Sequence, residues 1–320
     1  MNGEGAHVSL STQRSPRVTV VMIVRDGERF LEEALQSVCA QTMTDWEVVV
    51  IDDGSQDATR AIAQKFVDHD GQRFRLFQHD LGECRGMSAS RNLGIAHARA
   101  TLITFLDHDD AMLPHKLERQ CALLDQHPHA AAVIGPNLRW FSWEVAQSHD
   151  QSTRRVAAAQ ADRVQDLGVQ SSSDGTLFEP PSLLPIFLAR TDATPQALMV
   201  RRDVVCAIHG FANEFRDMYE DQVFLAKLLL KEPVVISSEV WQRYRQHSES
   251  CVRRAHRARR QQHARRRYLT WLGEYVRCQL ADERADDGRR AMLQAVRRSA
   301  RREWWKSLAA SMRSWLRIRR

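Results

Sequence analysis

Thr101-Leu-Ile-Thr-Phe-Leu-Asp-His-Asp-Asp110 decides how this chain is read. An apolar, β-branched run predicts a buried strand, and the carboxylates Asp107, Asp109 and Asp110 follow at once. In a parallel α/β sheet, ligands bind beyond the carboxyl ends of the strands. Side chains two positions apart point the same way, so Asp107 and Asp109 can converge on one ligand. Carboxylates held so close repel unless a cation or a donor group lies between them. A hard divalent ion that also bridges diphosphate oxygens suits such a place. The alternative is an acidic turn in which Asp110 caps the next helix.

The same rhythm continues upstream. Residues 18–24 and 47–52 read as buried strands and 74–77 as a short third one. Between them, 28–38 sets Leu31, Leu35 and Val38 at helical spacing. Residues 56–66 do so with Ala58, Ile62 and Phe66, and 89–98 reads as a third helix. Strand and helix in alternation predict an α/β fold: a Rossmann-like, mostly parallel sheet flanked by helices. Downstream, 142–185 turns polar around Ser171-Ser-Ser-Asp-Gly175 and Pro180-Pro181, which predicts a loop-rich insertion. Residues 197–201 are strand-like, 221–230 helix-like, and 233–236 read as a closing strand.

Two further segments carry candidate chemistry. In Ile51-Asp-Asp-Gly-Ser-Gln-Asp57, Asp52 and Asp53 again stand at a strand end, before a glycine turn. A carboxylate there can accept from a ribose hydroxyl or a base N–H, or serve only a local capping turn. In Gly86-Met-Ser-Ala-Ser-Arg-Asn-Leu-Gly94, Arg91 is predicted in the first turn of a helix. It could meet a phosphate or a base carbonyl there, or simply lie on the surface.

Charge is distributed unevenly. Residues 251–320 hold 21 Arg and Lys against 6 Asp and Glu, although the whole chain is only +6, so the first 250 residues are net acidic. This predicts an acidic body with a basic, helical C-terminal region that meets an anionic partner. Trp304, Leu308, Met312 and Trp315 recur near helical spacing among Arg301, Arg302, Lys306, Arg313 and Arg317. Such a helix fits an anionic membrane surface, or it packs its Trp face on the body. The Arg block at 253–267 could meet nucleic acid, but no recognition module accompanies it. The six cysteines form no CxxC pair, which predicts reduced thiols. Residues 1–17 lack the apolar core of a secretory signal, and no run approaches the ~20 apolar residues of a membrane span. The expected setting is the cytoplasm, or peripheral at the inner face of a membrane. A dehydrogenase and a P-loop kinase are set aside, since neither GxGxxG nor GxxxxGK[ST] is present.

Taken in order, these segments resemble the family 2 glycosyltransferases. The match comprises the first strand and helix with its Ser37-x-x-x-Gln41-Thr42 exit, Asp52-Asp53-Gly54-Ser55, Ser90-Arg91-Asn92-x-Gly94, and the DXD-type Asp107-His108-Asp109-Asp110. Gly210-Phe211, Tyr219-Glu220-Asp221 and Tyr244-Arg245-x-His247 extend it, so that it covers about 17–250. The resemblance implies a GT-A fold over 17–250, with a nucleotide-sugar half (17–135) and an acceptor half (136–250), between a disordered 1–16 and the Arg-rich 251–320. It further implies inverting transfer from a nucleotide-diphosphate sugar, with Mg²⁺ or Mn²⁺, to a carbohydrate, lipid-linked or protein acceptor, in surface polysaccharide or glycoconjugate biosynthesis. By this resemblance, Asp53 holds the uracil or ribose, Arg91 the nucleotide, and the backbone at Ile23 frames the base. Asp107 approaches the ribose or diphosphate, and Asp109 binds the metal. Asp221 is the base with Glu220 beside it, while Arg245 and His247 face the diphosphate or metal. Arg25-Asp26 departs from the aromatic-Asn pair usual after strand one. The processive Gln-x-x-Arg-Trp motif is absent, which implies one sugar per encounter. The rival reading is a glycosyltransferase-like module that binds a nucleotide or a partner without turnover.

Overall fold

A computed structural model describes residues 15–144, 161–169, 174–189, 197–216, 218–250, 261–281 and 287–318. Strands β1 (Val18–Val24) and β2 (Trp46–Asp52) are buried along their whole length, as expected of apolar runs covered on both sheet faces. They pair in parallel with each other and with β3 (Phe74–Gln78) and β4 (Leu102–Asp107). Helices α1 (Leu31–Cys39), α2 (Thr59–His69) and α3 (Met87–His97) connect them. Beyond β4 lie β5 (Ala111–Met112), α4 (Lys116–Gln126), β6 (Ala132–Gly135) and β7 (Asn137–Trp140).

The sheet is less uniformly parallel than expected. Strand β10 (Ala197–Arg201) runs antiparallel between β4 and β6, and β11 (Val234–Ile236) lies beside β6 in parallel. Strand β9 (Thr176–Phe178) completes an eight-stranded sheet ordered β3-β2-β1-β4-β10-β6-β11-β9. A smaller sheet, β5-β12-β7-β8, joins β8 (Arg163–Val164) and β12 (Gln242–Arg245) to the region after β4. Within the predicted insertion the described residues form β8, β9 and the start of α5 (Leu184–Ala189). Much of that insertion, residues 1–14, and 251–260 of the Arg block fall outside the described residues.

The two faces of the main sheet bury separate cores. One collects Leu31, Leu35 and Val38 of α1 with Phe74, Leu117 and Trp241. The other joins Val205 of α6 (Arg202–Ala207) and Phe224 and Leu228 of α7 (Glu220–Lys231) to the C-terminal helices α8 (Gln261–Leu280) and α9 (Asp287–Ile318). Tyr268, Leu272, Leu293 and Val296 belong to this second core. At about 1.5–3 kcal/mol for each large apolar side chain removed from water, they anchor the C-terminal helices to the body. No helix among the described residues is long and apolar enough to cross a membrane.

Candidate active site

The site gathers where β1, β2 and β4 end side by side. Ile23 is in register with Ile51 on one side and Asp107 on the other. Asp53 follows β2, and its N–H donates to Val24 O across 2.9 Å. The next residue, Gly54, has φ +81°, and a Cβ there would lie 2.8 Å from Gly82 O, so the turn requires glycine. Of the two aspartates, Asp52 accepts from Ser55 N (2.9 Å) and makes the local turn. The Asp53 carboxylate gathers a loop, accepting from Arg85 N (2.8 Å), Gly86 N (3.0 Å) and Cys84 Sγ (3.2 Å).

At the end of β4, carboxylate oxygens of Asp107, Asp109 and Asp110 lie within 4.8 Å of one another. Asp110 is buried and accepts from Arg245 N (2.9 Å) and Gln242 Nε2 (3.3 Å). It therefore fastens β12 to the motif and caps no helix, since the N-cap of α4 is His115. Burial, with the charges of Asp109 and Asp107 added, pushes Asp110 well above the ordinary carboxylate range. Burial also raises Asp109, but the His247 hydrogen bond, followed by the charges of His108 and His247, brings it below its ordinary value. His247 Nε2 lies 2.9 Å from Asp109 Oδ2, and its buried Nδ1 has no partner. These groups fit a hard divalent cation. Asp107 and Asp109 are the half-exposed oxygen donors, Asp110 is already engaged, and an imidazole stands beside them.

Arg245 is enclosed. Its guanidinium carbon lies 4.3 Å from the Trp140 ring centroid, 4.7 Å from Phe30 and 5.0 Å from Trp143. Nε donates to Asp109 O (2.7 Å) and Nη2 to Glu33 (2.6 Å), while Nη1 is buried without a partner. The cation thus shapes the backbone of the acidic motif, with one donor left over. Glu33, Phe30, Trp140 and Trp143 were not picked out from the sequence. They come from separate segments, and no local pattern links them.

Helix α3 begins at Met87, earlier than the spacing predicts, so Arg91 falls in its second turn and not its first. Its buried guanidinium donates to Asp107 Oδ1 and to Glu220 Oε1, each across 2.8 Å. Burial opposes the arginine charge, but Asp107 and Glu220 more than offset it and raise the pKa. Next to Glu220, Asp221 is pushed up to about 7 by desolvation, with the Glu220 charge adding and Arg91 opposing. It keeps some exposure to solvent, so the rise comes from the protein packed around it and not from complete sealing. Asp107, Asp109, Arg91, Glu220, Asp221, Arg245 and His247 thus form one connected group. Asp53 and Ile23 line the neighbouring strand ends.

The model for glycosyl transferase family 2 matches residues 19–176. Residues 19–176 belong to this family. This family 2 glycosyl transferase is 35% identical over 126 residues to EpsE of Bacillus subtilis (strain 168), a protein named as a glycosyltransferase; the match covers 39% of this chain and 44% of EpsE. It is 34% identical over 112 residues to an uncharacterized glycosyltransferase of Haemophilus influenzae, covering 35% of this chain and 44% of that one. The matched region thus spans less than half the length of these relatives. Among solved structures, the fold is similar to S. aureus TarS 1-349 in complex with UDP-GlcNAc, at 15% identity and a TM-score of 0.61, over 88% of this chain and 70% of that one. It is also similar to the mannosyltransferase PcManGT of Pyrobaculum calidifontis in complex with GDP-Man and Mn²⁺, at 16% identity and a TM-score of 0.54, over 94% and 76%.

Proposed function

We propose that this family 2 glycosyl transferase moves one sugar from a nucleotide-diphosphate donor to an acceptor hydroxyl, with inversion. The observation that carries the reading is the Arg91 bridge, which couples the donor-side Asp107 to the helix bearing Asp221. Solved neighbours of this fold hold UDP-GlcNAc or GDP-Man, which supports the donor class.

In this reading the nucleotide base lies over the ends of β1 and β2, framed by the Ile23 backbone and the loop that Asp53 secures. Asp107 and Asp109, with His247 beside them, would hold Mg²⁺ or Mn²⁺. When bound, the ion supplies Lewis-acid stabilisation of charge on the departing diphosphate. Arg245 Nη1 is the remaining donor on that side, and Arg91 acts on the nucleotide side by fixing Asp107. Asp221 accepts the proton of the acceptor hydroxyl as its oxygen bonds the anomeric carbon and the diphosphate leaves. General-base catalysis of this kind contributes typically ~10²–10⁴-fold, and alignment of donor with acceptor supplies much of the rest. The acceptor is a carbohydrate, a lipid-linked glycan or a protein, in surface polysaccharide or glycoconjugate assembly. Binding without turnover is the rival, and the retained Asp221 argues against it.

The place of action in this reading is the cytoplasm, at the inner face of the membrane. Trp305 supports that contact. It is 61% exposed on α9, beside the exposed Arg301, Arg302 and Lys306, a pairing of ring and cations that suits anionic headgroups.

A thermal-shift screen of nucleotide sugars with Mn²⁺ identifies the donor, after which Asp221→Asn should bind that donor and fail to transfer its sugar. Wild-type turnover by Asp221→Asn removes the base assignment. A screen in which no nucleotide sugar binds removes the function.

A further inference from the structure

Tyr219, immediately before Glu220 and Asp221, is left-handed, with φ +66°. For a tyrosine this conformation is strained and persists only where the surroundings impose it. Those surroundings come from the C-terminal helices. The Tyr219 ring stacks on Tyr268 of α8, with centroids 5.4 Å apart and planes at 16°. Burial raises the Tyr219 phenol's pKa, and Arg265, one turn earlier on α8, lies close enough for its charge to oppose that rise. Arg265 is itself held by Glu303 of α9, 3.2 Å away, and Glu303 also pairs with Lys306 at 2.7 Å. Tyr268 is buried, and Asp221 lies close enough for its charge to add to burial in raising the phenol's pKa.

We infer that the C-terminal helical pair is a working part of the active site, in which Arg265 and Tyr268 are positioning residues that hold Tyr219 in its left-handed turn and so aim Asp221. Released from Tyr268, residue 219 can return to ordinary backbone angles, which redirects the chain at the start of α7 where Glu220 and Asp221 stand. The donor side is held by other contacts: Asp53 accepts from Arg85 N and Gly86 N, and Asp109 pairs with His247. The inference rests on the reading of Asp221 as base.

The test uses the full chain and two readouts. In Tyr268→Ala, hydrogen exchange of the backbone at 219–224 should speed up while α1 and α2 keep their protection. The affinity for UDP with Mn²⁺ should stay at the wild-type value. With the donor found in the screen, kcat should fall by about 10²-fold, the scale of an ~1 Å misplacement, with the donor KM unchanged. Adding Tyr219→Gly separates aiming from packing. Glycine takes the left-handed turn without a clamp, so the double variant should recover kcat relative to Tyr268→Ala alone. A residue that only fills the core predicts the opposite, a further loss. Arg265→Met, at a half-buried position, repeats the exchange measurement should Tyr268→Ala unfold. Unchanged exchange at 219–224, or a double variant worse than the single one, overturns the inference. A wild-type chain that transfers no sugar overturns the base reading instead, and the exchange result still decides whether the clamp exists.

Discussion

Asp107 and Glu220 accept hydrogen bonds from one guanidinium, that of Arg91, at 2.8 Å each. Asp107 ends the strand that carries the acidic motif, and Glu220 opens the helix that carries Asp221. A single buried cation thus bridges the proposed donor and acceptor sides.

Removing that cation leaves the buried Glu220 and the half-exposed Asp107 with no positive charge between them. Breaking a buried pair by deleting one partner costs about 3–5 kcal/mol, so Arg91→Ala should lower the melting temperature markedly and abolish transfer. Arg91→Lys keeps the charge but lacks the fork that reaches both partners, and should fall in between. Thermal denaturation of the three proteins checks this. Equal melting temperatures for wild type and Arg91→Ala would show the bridge to be idle.

The crowding of Asp107, Asp109 and Asp110 predicts a response to metal. A divalent ion relieves the repulsion that helps push Asp110 upward, so binding should release protons and raise the melting temperature. Asp109→Ala should show neither effect. His247→Ala should weaken Mn²⁺ binding by roughly 10–100-fold, the usual scale for a group that orients a ligand. Calorimetric titration in two buffers of different ionisation heat reads both quantities.

Asp221 gives a pH signature. The unfolded chain ionises it near 3.8 and the folded chain near 7. Between those values the folded state keeps a proton that the unfolded state has released. The associated stability is therefore fully present below 3.8 and is lost as pH rises to about 7. Asp221→Asn cannot ionise, so its melting temperature should gain on wild type from about pH 4 to about pH 8. Parallel melting curves across that range would remove the elevated pKa. Transfer by the wild type should rise along the same limb, since only the ionised carboxylate accepts a proton.

Trp305 gives a prediction at the surface. Vesicles containing phosphatidylserine should sediment the wild-type chain and blue-shift its tryptophan emission, with binding weakened by salt. Trp305→Ala and Arg301→Glu should each reduce sedimentation without lowering the melting temperature. Equal binding to neutral vesicles, or none to either kind, ends the membrane contact.

The strand ends were legible because β1, β2 and β4 are largely apolar runs broken abruptly by charged residues, a pattern that depends on nothing distant. Helix starts moved by a few residues, as with α3 at Met87, since no side-chain cap marks them. The antiparallel entry of β10 between β4 and β6 was not legible, because a five-residue apolar run carries no record of its neighbours. Nor was the enclosure of Arg245, whose rings come from Phe30, Trp140 and Trp143. Helical spacing placed Trp304 on a candidate docking face, yet its indole N–H donates to Thr270 Oγ1 (3.1 Å) and its ring packs against the second core. The adjacent Trp305 faces out, and spacing alone does not tell which of two neighbouring tryptophans turns inward. Met312 and Trp315 have side chains outside the described residues.

The two cores differ in when synthesis can complete them. One sheet face closes with residues no later than Trp241, whereas the other waits for Tyr268, Leu293 and Ala300. A nascent chain therefore emerges with half of its sheet already covered and the opposite face still bare, awaiting the final helices. Until they arrive, that apolar face is what a chaperone would meet, and a stalled or prematurely terminated product would be prone to aggregate.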